Sequence, residues 1–236
     1  MVRVPTGTNE ITAIPMLLGN ISLKGKIATY DAIGTQKGNV RIIIADGGDY
    51  VLALKGNQMQ FHADVSHYLK DLLQGHFYKT AICAESFEKG HGRIEKRICV
   101  ATDSLDWLIQ KEEWAGLQSI VAVETTITCV KTGKISHGIR YFISSLPANA
   151  DRLLSIIRGH WSIENKLHWH LDRHFDEDRS TIRDAYGAHN MSMLRSVAIS
   201  VLHHDQKLRP NQSFNIKRQS ANRNPNLITE ILLNWA

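Results

Sequence analysis

The run Tyr50-Val51-Leu52-Ala53-Leu54, closed by Lys55, has no polar residue at alternate positions. A strand of this kind cannot turn one face to water, so it belongs in a sheet covered on both sides. A second short buried-strand pattern, Lys26-Ile27-Ala28-Thr29-Tyr30-Asp31, ends on an acid. Between the two, Gln36 to Ala45 reads as a helix with Val40, Ile43 and Ile44 apolar, and Asp46-Gly47-Gly48-Asp49 stops it. Upstream, Thr8-Asn9-Glu10 opens a short amphipathic helix through Ile11, Ile14, Leu17 and Leu18, with Pro15 inside it. Downstream, Asn57 is the expected cap of a long helix reaching Gln74. Residues 8–75 thus alternate α-β-α-β-α, which predicts an α/β fold with a mainly parallel sheet.

The pattern changes over residues 80–146. Strand-like runs occur at Thr80–Glu85, Arg93–Thr102, Ser119–Cys129 and Gly138–Ser144, with Lys131-Thr132-Gly133-Lys134 as a hairpin turn. This stretch reads as a β-rich insertion. Asn149 then caps a long helix expected to run to about His174, and another helix spans about Asn190–His203. Asp205–Arg223 is basic and polar, with Lys207, Arg209, Lys217, Arg218 and Arg223 against one Asp. A short apolar helix at Leu227–Trp235 follows.

Apolar runs are far too short to span a bilayer, and Arg3-Val4-Pro5-Thr6 does not read as a signal peptide. Cys83, Cys99 and Cys129 form no CxxC pair, which suits a reducing cytosol and a cytoplasmic protein. The net charge of +5 leans toward a polyanionic partner.

Two acids stand out. Asp31 lies at the carboxyl end of a buried strand, the edge where α/β sheets build ligand sites; the competing reading is a cap on the following turn. Glu164 falls, at helical spacing, on a stripe with Ile157, Trp161, His168 and Leu171. A carboxylate on an apolar stripe needs compensation, from a divalent cation or from pairing with Arg158 or His168. His170 and His174, four apart, could share zinc in an unrelated hydrolase, although no HExxH is present. Lys89–Arg97 is a glycine-punctuated charged turn that either clamps phosphates or is a solvated hairpin.

Several segments together resemble the DDE-type insertion-sequence transposases, in the branch of the H-repeat-associated proteins. They are Asn9–Pro15, Thr29–Lys37, Gly48–Gln58, His91–Glu95 and Arg158–Asn165 with Leu167-His168-Trp169. The resemblance covers nearly the whole chain in order. It implies a ribonuclease-H-like core with a β-rich insertion between the second and third acids. The organisation then expected is 1–79 as the first part of the core and 80–146 as the insertion. Residues 147–204 form the core helices carrying the third acid, and 205–236 form a basic segment with a short helix. Asp31 and Glu164 take the positions of the second and third acids, as ligands of Mg²⁺ or Mn²⁺. DNA contacts fall to Arg93, Lys96, Arg97, Arg158 and Lys166. The implied partner is double-stranded DNA at insertion-sequence ends, with no membrane and with room for a homodimer.

The chain also departs from the pattern. The family's first acid precedes the Asn9-Glu10-Ile11-Thr12 motif, and Met1-Val2-Arg3-Val4 begins only a few residues ahead of it. The expectation is a truncated core without its first strands, an exposed sheet edge, marginal stability and little or no transposition. The alternative is a non-catalytic DNA-binding remnant that competes with intact transposase. Where related sequences have Arg four before the Glu and Lys seven after it, this chain has His160 and Leu171.

Overall fold

The computed structural model describes residues 10–75, 81–90, 92–163, 169–208 and 211–233. The chain divides into two compact units that meet between His160 and Trp161.

The first unit is built on a six-stranded sheet. It comprises α1 (Glu10–Leu18), β1 (Ile27–Tyr30), α2 (Lys37–Ala45), β2 (Asp49–Leu54), α3 (Met59–Leu73), β3 (Ile82–Gly90), β4 (Arg93–Thr102), β5 (Ser119–Cys129) and β6 (Ile135–Ser144). Most of α4 (Ala150–Ile163) completes it. The sheet order is β1-β2-β6-β5-β4-β3. Only β1 and β2 are parallel, the other four ladders being antiparallel. The expected mainly parallel sheet is therefore a mixed, mostly antiparallel one. The reason is connectivity. One helical crossover, α2, joins β1 to β2, whereas a tight turn joins β5 to β6 and returns the chain beside itself. Arg93–Thr102 and Ser119–Cys129 form strands over the ranges read from sequence, and β6 begins earlier, at Ile135.

β2 explains its own composition. Tyr50, Leu52 and Leu54 enter a core with Val40, Ile43, Phe61, Val65, Leu69 and Trp114, beneath α1, α2 and α3. Val51 points the other way, into a core with Phe142, Leu153, Leu154 and Ile157 under α4. Alternation at period two thus fills both faces, and the run has no polar position to spare. Trp114 stacks on Phe61 with ring centroids 5.1 Å apart. Gly47 closes α2 with φ of +73°, the left-handed turn that the Asp46–Asp49 stop signal predicts. Asn149 Oδ1 accepts from the Arg152 backbone N–H at 3.0 Å, capping α4 as read from sequence. Asn57 does not cap α3. A 3-10 turn over Gly56–Gln58 intervenes, and the Asn57 amide is used elsewhere.

The outer halves of β3–β6 outrun the helices. β4 is buried only at Cys99–Thr102 and β5 only at Ser119–Val123. Beyond them the four strands form an arm whose side chains reach water on both faces.

The second unit is helical. It holds α5 (Trp169–Phe175), α6 (Ala185–Leu208), α7 (Phe214–Arg223) and α8 (Pro225–Leu233). Leu171, Ile199, Leu202 and Phe214 form its core. The expected stripe joining Ile157 to Leu171 is divided, since Ile157 belongs to the sheet core and Leu171 to this one. Lys217, which belongs to the basic, polar segment of the sequence, is 1% exposed and faces Asp205, also 1% exposed, at 3.6 Å.

Candidate metal centre

β1 delivers Asp31 to the carboxyl end of the one parallel pair. The chain then turns through a 3-10 segment, Ala32–Gly34. Gly34 packs against Tyr30 so closely that a Cβ would stand 2.8 Å from the Tyr30 Cβ. A set of polar side chains fixes this turn. Thr35, fully buried, donates its hydroxyl to the Ala53 carbonyl at 2.6 Å. Asn39, 1% exposed, donates to the Gly34 carbonyl at 2.9 Å. Asn57 donates to the Ala32 carbonyl at 2.6 Å, and Gln58 to the Thr35 carbonyl at 3.1 Å. Each of these bonds is worth about 1 kcal/mol net, and more where its loss would strand a buried partner.

Asp31 is placed as the cap of the 3-10 turn, yet its carboxylate makes no capping hydrogen bond. The side chain is 48% exposed and open to ions from solvent. On β1, Ile27 packs into the core under α4 while Ala28 and Tyr30 pack on the opposite side. Strand alternation therefore sends Thr29 and Asp31 toward α4. There α4 presents His160. Its Nδ1 lies 2.9 Å from Thr29 Oγ1, and its Nε2 lies 3.8 Å from Asp31 Oδ1. A carboxylate oxygen and an imidazole nitrogen facing one gap are a donor set that suits a divalent cation. In the sequence His160 stands where related sequences have Arg. Its pairing with Thr29 joins positions far apart in the chain and left no local signal.

Glu164 and Lys166 lie outside the described residues. The other candidates for DNA contact are dispersed. Arg93 is exposed at the end of the arm. Lys96 pairs with Glu85 at 3.2 Å, and Arg97 pairs with Glu88 at 2.9 Å and with Glu95. Arg158 on α4 also pairs with Glu88. Lys89, Lys131 and Lys134 share the exposed tip with Arg93, and the two turns there are tied by Val130 N–H donating to the Gly92 carbonyl at 2.8 Å.

The histidine pair does not form a zinc site. The His170 and His174 rings stack at 25° with centroids 5.1 Å apart, and both pack against Phe214. Ring nitrogens ligate in the ring plane, so stacked rings do not converge on one ion. Burial, reinforced by neighbouring His203 and His174, pushes the His170 pKa down to about 4. Burial also lowers that of His174, with Arg218 and Arg173 adding to it. Among the described residues no cluster of three His, Cys, Asp or Glu side chains is arranged to hold a metal, and no helix is long and apolar enough to cross a membrane.

A family profile described as "Transposase DDE domain" matches residues 1–201. "Putative protein YbfL" and "H repeat-associated putative transposase YhhI", both of Escherichia coli K12, are each 36% identical over 228 residues, which is 94% of this chain. "Putative transposase YncI" of Escherichia coli O157:H7 is 35% identical over 85% of the chain. The chain spans 59% of the length of YbfL and of YhhI.

Proposed function

The chain belongs to the transposase DDE domain family, and from that membership together with the setting of Asp31 we propose a metal-dependent DNA strand-transfer site held by Asp31 and Glu164. On this reading residues 1–79 and 147–204 belong to a ribonuclease-H-like core, and residues 80–146, with β3–β6, are its β-rich insertion. The observation that carries it is Asp31. Its carboxylate is exposed, unused as a cap and carried at a sheet edge by a turn that four polar side chains fix. A helix comes within 3.8 Å of it, through a residue four positions before Glu164. When bound, Mg²⁺ or Mn²⁺ would polarise the scissile phosphate and activate the attacking oxygen.

The residues of this chain would then divide the work. Asp31 and Glu164 grip the cation, and Thr35, Asn39, Asn57 and Gln58 keep Asp31 in place. Arg93, with Lys96, Arg97, Arg158 and Lys166, meets the phosphates of double-stranded DNA at insertion-sequence ends. The ion pairs of Lys96, Arg97 and Arg158 leave Arg93 the foremost of these. In-line displacement of this type commonly uses two ions, and two carboxylates hold one.

The test is Mn²⁺ binding and nicking of supercoiled plasmid by the full chain. Asp31→Asn and Glu164→Gln should each weaken Mn²⁺ binding at least about tenfold and remove any nicking, with DNA binding retained. Metal binding unchanged in both variants would overturn the proposal.

A further inference from the structure

Resting on the reading above, we propose that His160 is a nitrogen ligand to the divalent cation at Asp31, and that the site consequently takes Mn²⁺ in preference to Mg²⁺. The ring's other nitrogen is already anchored. His160 Nδ1 is 2.9 Å from Thr29 Oγ1, a hydrogen bond to a hydroxyl on β1 itself. Histidines that ligate metals characteristically give their second nitrogen to an oxygen in this way, which fixes tautomer and ring plane. In the tautomer whose Nδ1–H donates to Thr29, the Nε2 lone pair faces Asp31.

The Nε2···Oδ1 distance is the second part. At 3.8 Å it is too long for a hydrogen bond, which needs about 3.2 Å or less. A direct charged pair would close to about 2.8 Å. Two donors on one cation, each about 2.0–2.2 Å from it, stand up to about 4 Å apart. The gap is the width of an ion. The third part is the register. Thr29 and Asp31 are alternate residues facing α4, so one strand supplies both the anchor of the imidazole and the carboxylate opposite it.

The chemistry then sets the metal. Mg²⁺ favours oxygen donors almost exclusively and keeps several waters, whereas imidazole suits transition ions. Mn²⁺ accepts both donor types. Binding of Mn²⁺ to the full chain is followed by loss of the free-ion EPR signal, and its ligands by ¹⁴N coupling in pulsed EPR. Mn²⁺ also avoids the thiols of Cys83 and Cys129, which softer ions would seek.

The native chain should show ¹⁴N coupling. His160→Gln should abolish it and weaken Mn²⁺ at least about tenfold, while Mg²⁺, measured by competition, changes little. Thr29→Val, a small change inside β1, should weaken Mn²⁺ by about tenfold yet keep the coupling, because it removes only the anchor. Circular dichroism confirms that both variants fold. Mn²⁺ that binds through Asp31 without ¹⁴N coupling, or with coupling that survives His160→Gln, would overturn this inference and leave the Asp31 site intact. Mn²⁺ that fails to bind, or binds equally to Asp31→Asn, would overturn both.

Discussion

The Lys217–Asp205 pair allows a prediction whose magnitude follows from the structure. Both side chains are 1% exposed, and the charged atoms are 3.6 Å apart. At an effective dielectric of ~20 their attraction is about 5 kcal/mol. Desolvating the two ions costs several kcal/mol each. Lys217 Nζ also makes no hydrogen bond among the described residues, so the ammonium has lost its water without regaining three acceptors. The pair therefore sits near break-even as a unit, while removing either partner takes from the other buried charge the counter-ion it faces. Lys217→Met should cost about 3–5 kcal/mol. For a helical unit of this size that is a fall of roughly 12 °C or more, at roughly 4–8 °C per kcal/mol. Lys217→Met with Asp205→Leu should recover the parent stability or exceed it by about 1–4 kcal/mol. The assay is a double-mutant cycle on chemical denaturation, followed by far-UV circular dichroism. A single-variant loss under about 1 kcal/mol would mean that the ammonium reaches water, and a double variant as unstable as the sum of the singles would mean that the charges do not communicate. Either result refutes the reasoning.

Three further outcomes are expected. Arg93→Glu and Lys131→Glu, at the tip of the arm, should each lower the slope of log affinity for duplex DNA against log salt by roughly 1, whereas Lys96→Gln, whose ammonium already faces Glu85, should change it less. The cysteines supply a footprint of the same contact. Hydrogen bonds from Thr132 and the Lys131 backbone, with Arg93 nearby, lower the Cys129 pKa, while burial raises that of Cys99 to about 12, so DNA should slow thiol labelling at Cys129 and leave exposed Cys83 unaffected. The helical unit should lose stability as pH falls. The folded pKa of His170, about 4, lies below the ordinary 6.5, so the unfolded chain binds the extra proton between those values. That stabilisation is whole above pH 6.5 and is lost as pH falls toward 4. His170→Phe should flatten melting temperature against pH in that window.

The sequence was most legible where a periodic pattern had a single physical cause. The unbroken apolar run of β2 requires two covered faces, and it receives them from α3 and α4. Gly47 ends α2 because a left-handed residue is needed there. The same reasoning failed where a side chain has a distant partner. Asn57 has the chemistry of a helix cap, and nothing in its neighbourhood reveals that its amide reaches the Ala32 carbonyl instead. Lys217 reads as one more cation of a basic tail because Asp205, which it faces, is on another helix. Parallel pairing was over-read for a related reason. The βαβ pattern reports one crossover, and the partner of β2 on its other side is set by where β6 returns, 81 positions beyond Leu54 at its start.

The candidate site gives the sharper case. Thr29–Lys37 and Gly48–Gln58 are separate stretches of sequence, and each resembles the family for reasons invisible in isolation. In three dimensions they are one object. The Thr35 hydroxyl donates to the Ala53 carbonyl on β2, Gln58 donates to the Thr35 carbonyl, Asn57 reaches back to Ala32, and Gly34 lets the turn close against Tyr30. None of these residues would touch an ion. Their effect is to remove the conformational freedom of the turn that carries Asp31, so that the carboxylate is pre-positioned. It follows that Asn57→Ala should raise the metal dissociation constant without altering the ligand set. The ¹⁴N coupling assigned to His160 should survive in that variant, and affinity should fall by roughly 10-fold or less for about 1 kcal/mol of lost anchoring. A loss of the coupling together with the affinity would show that the turn supplies a ligand and is more than a support.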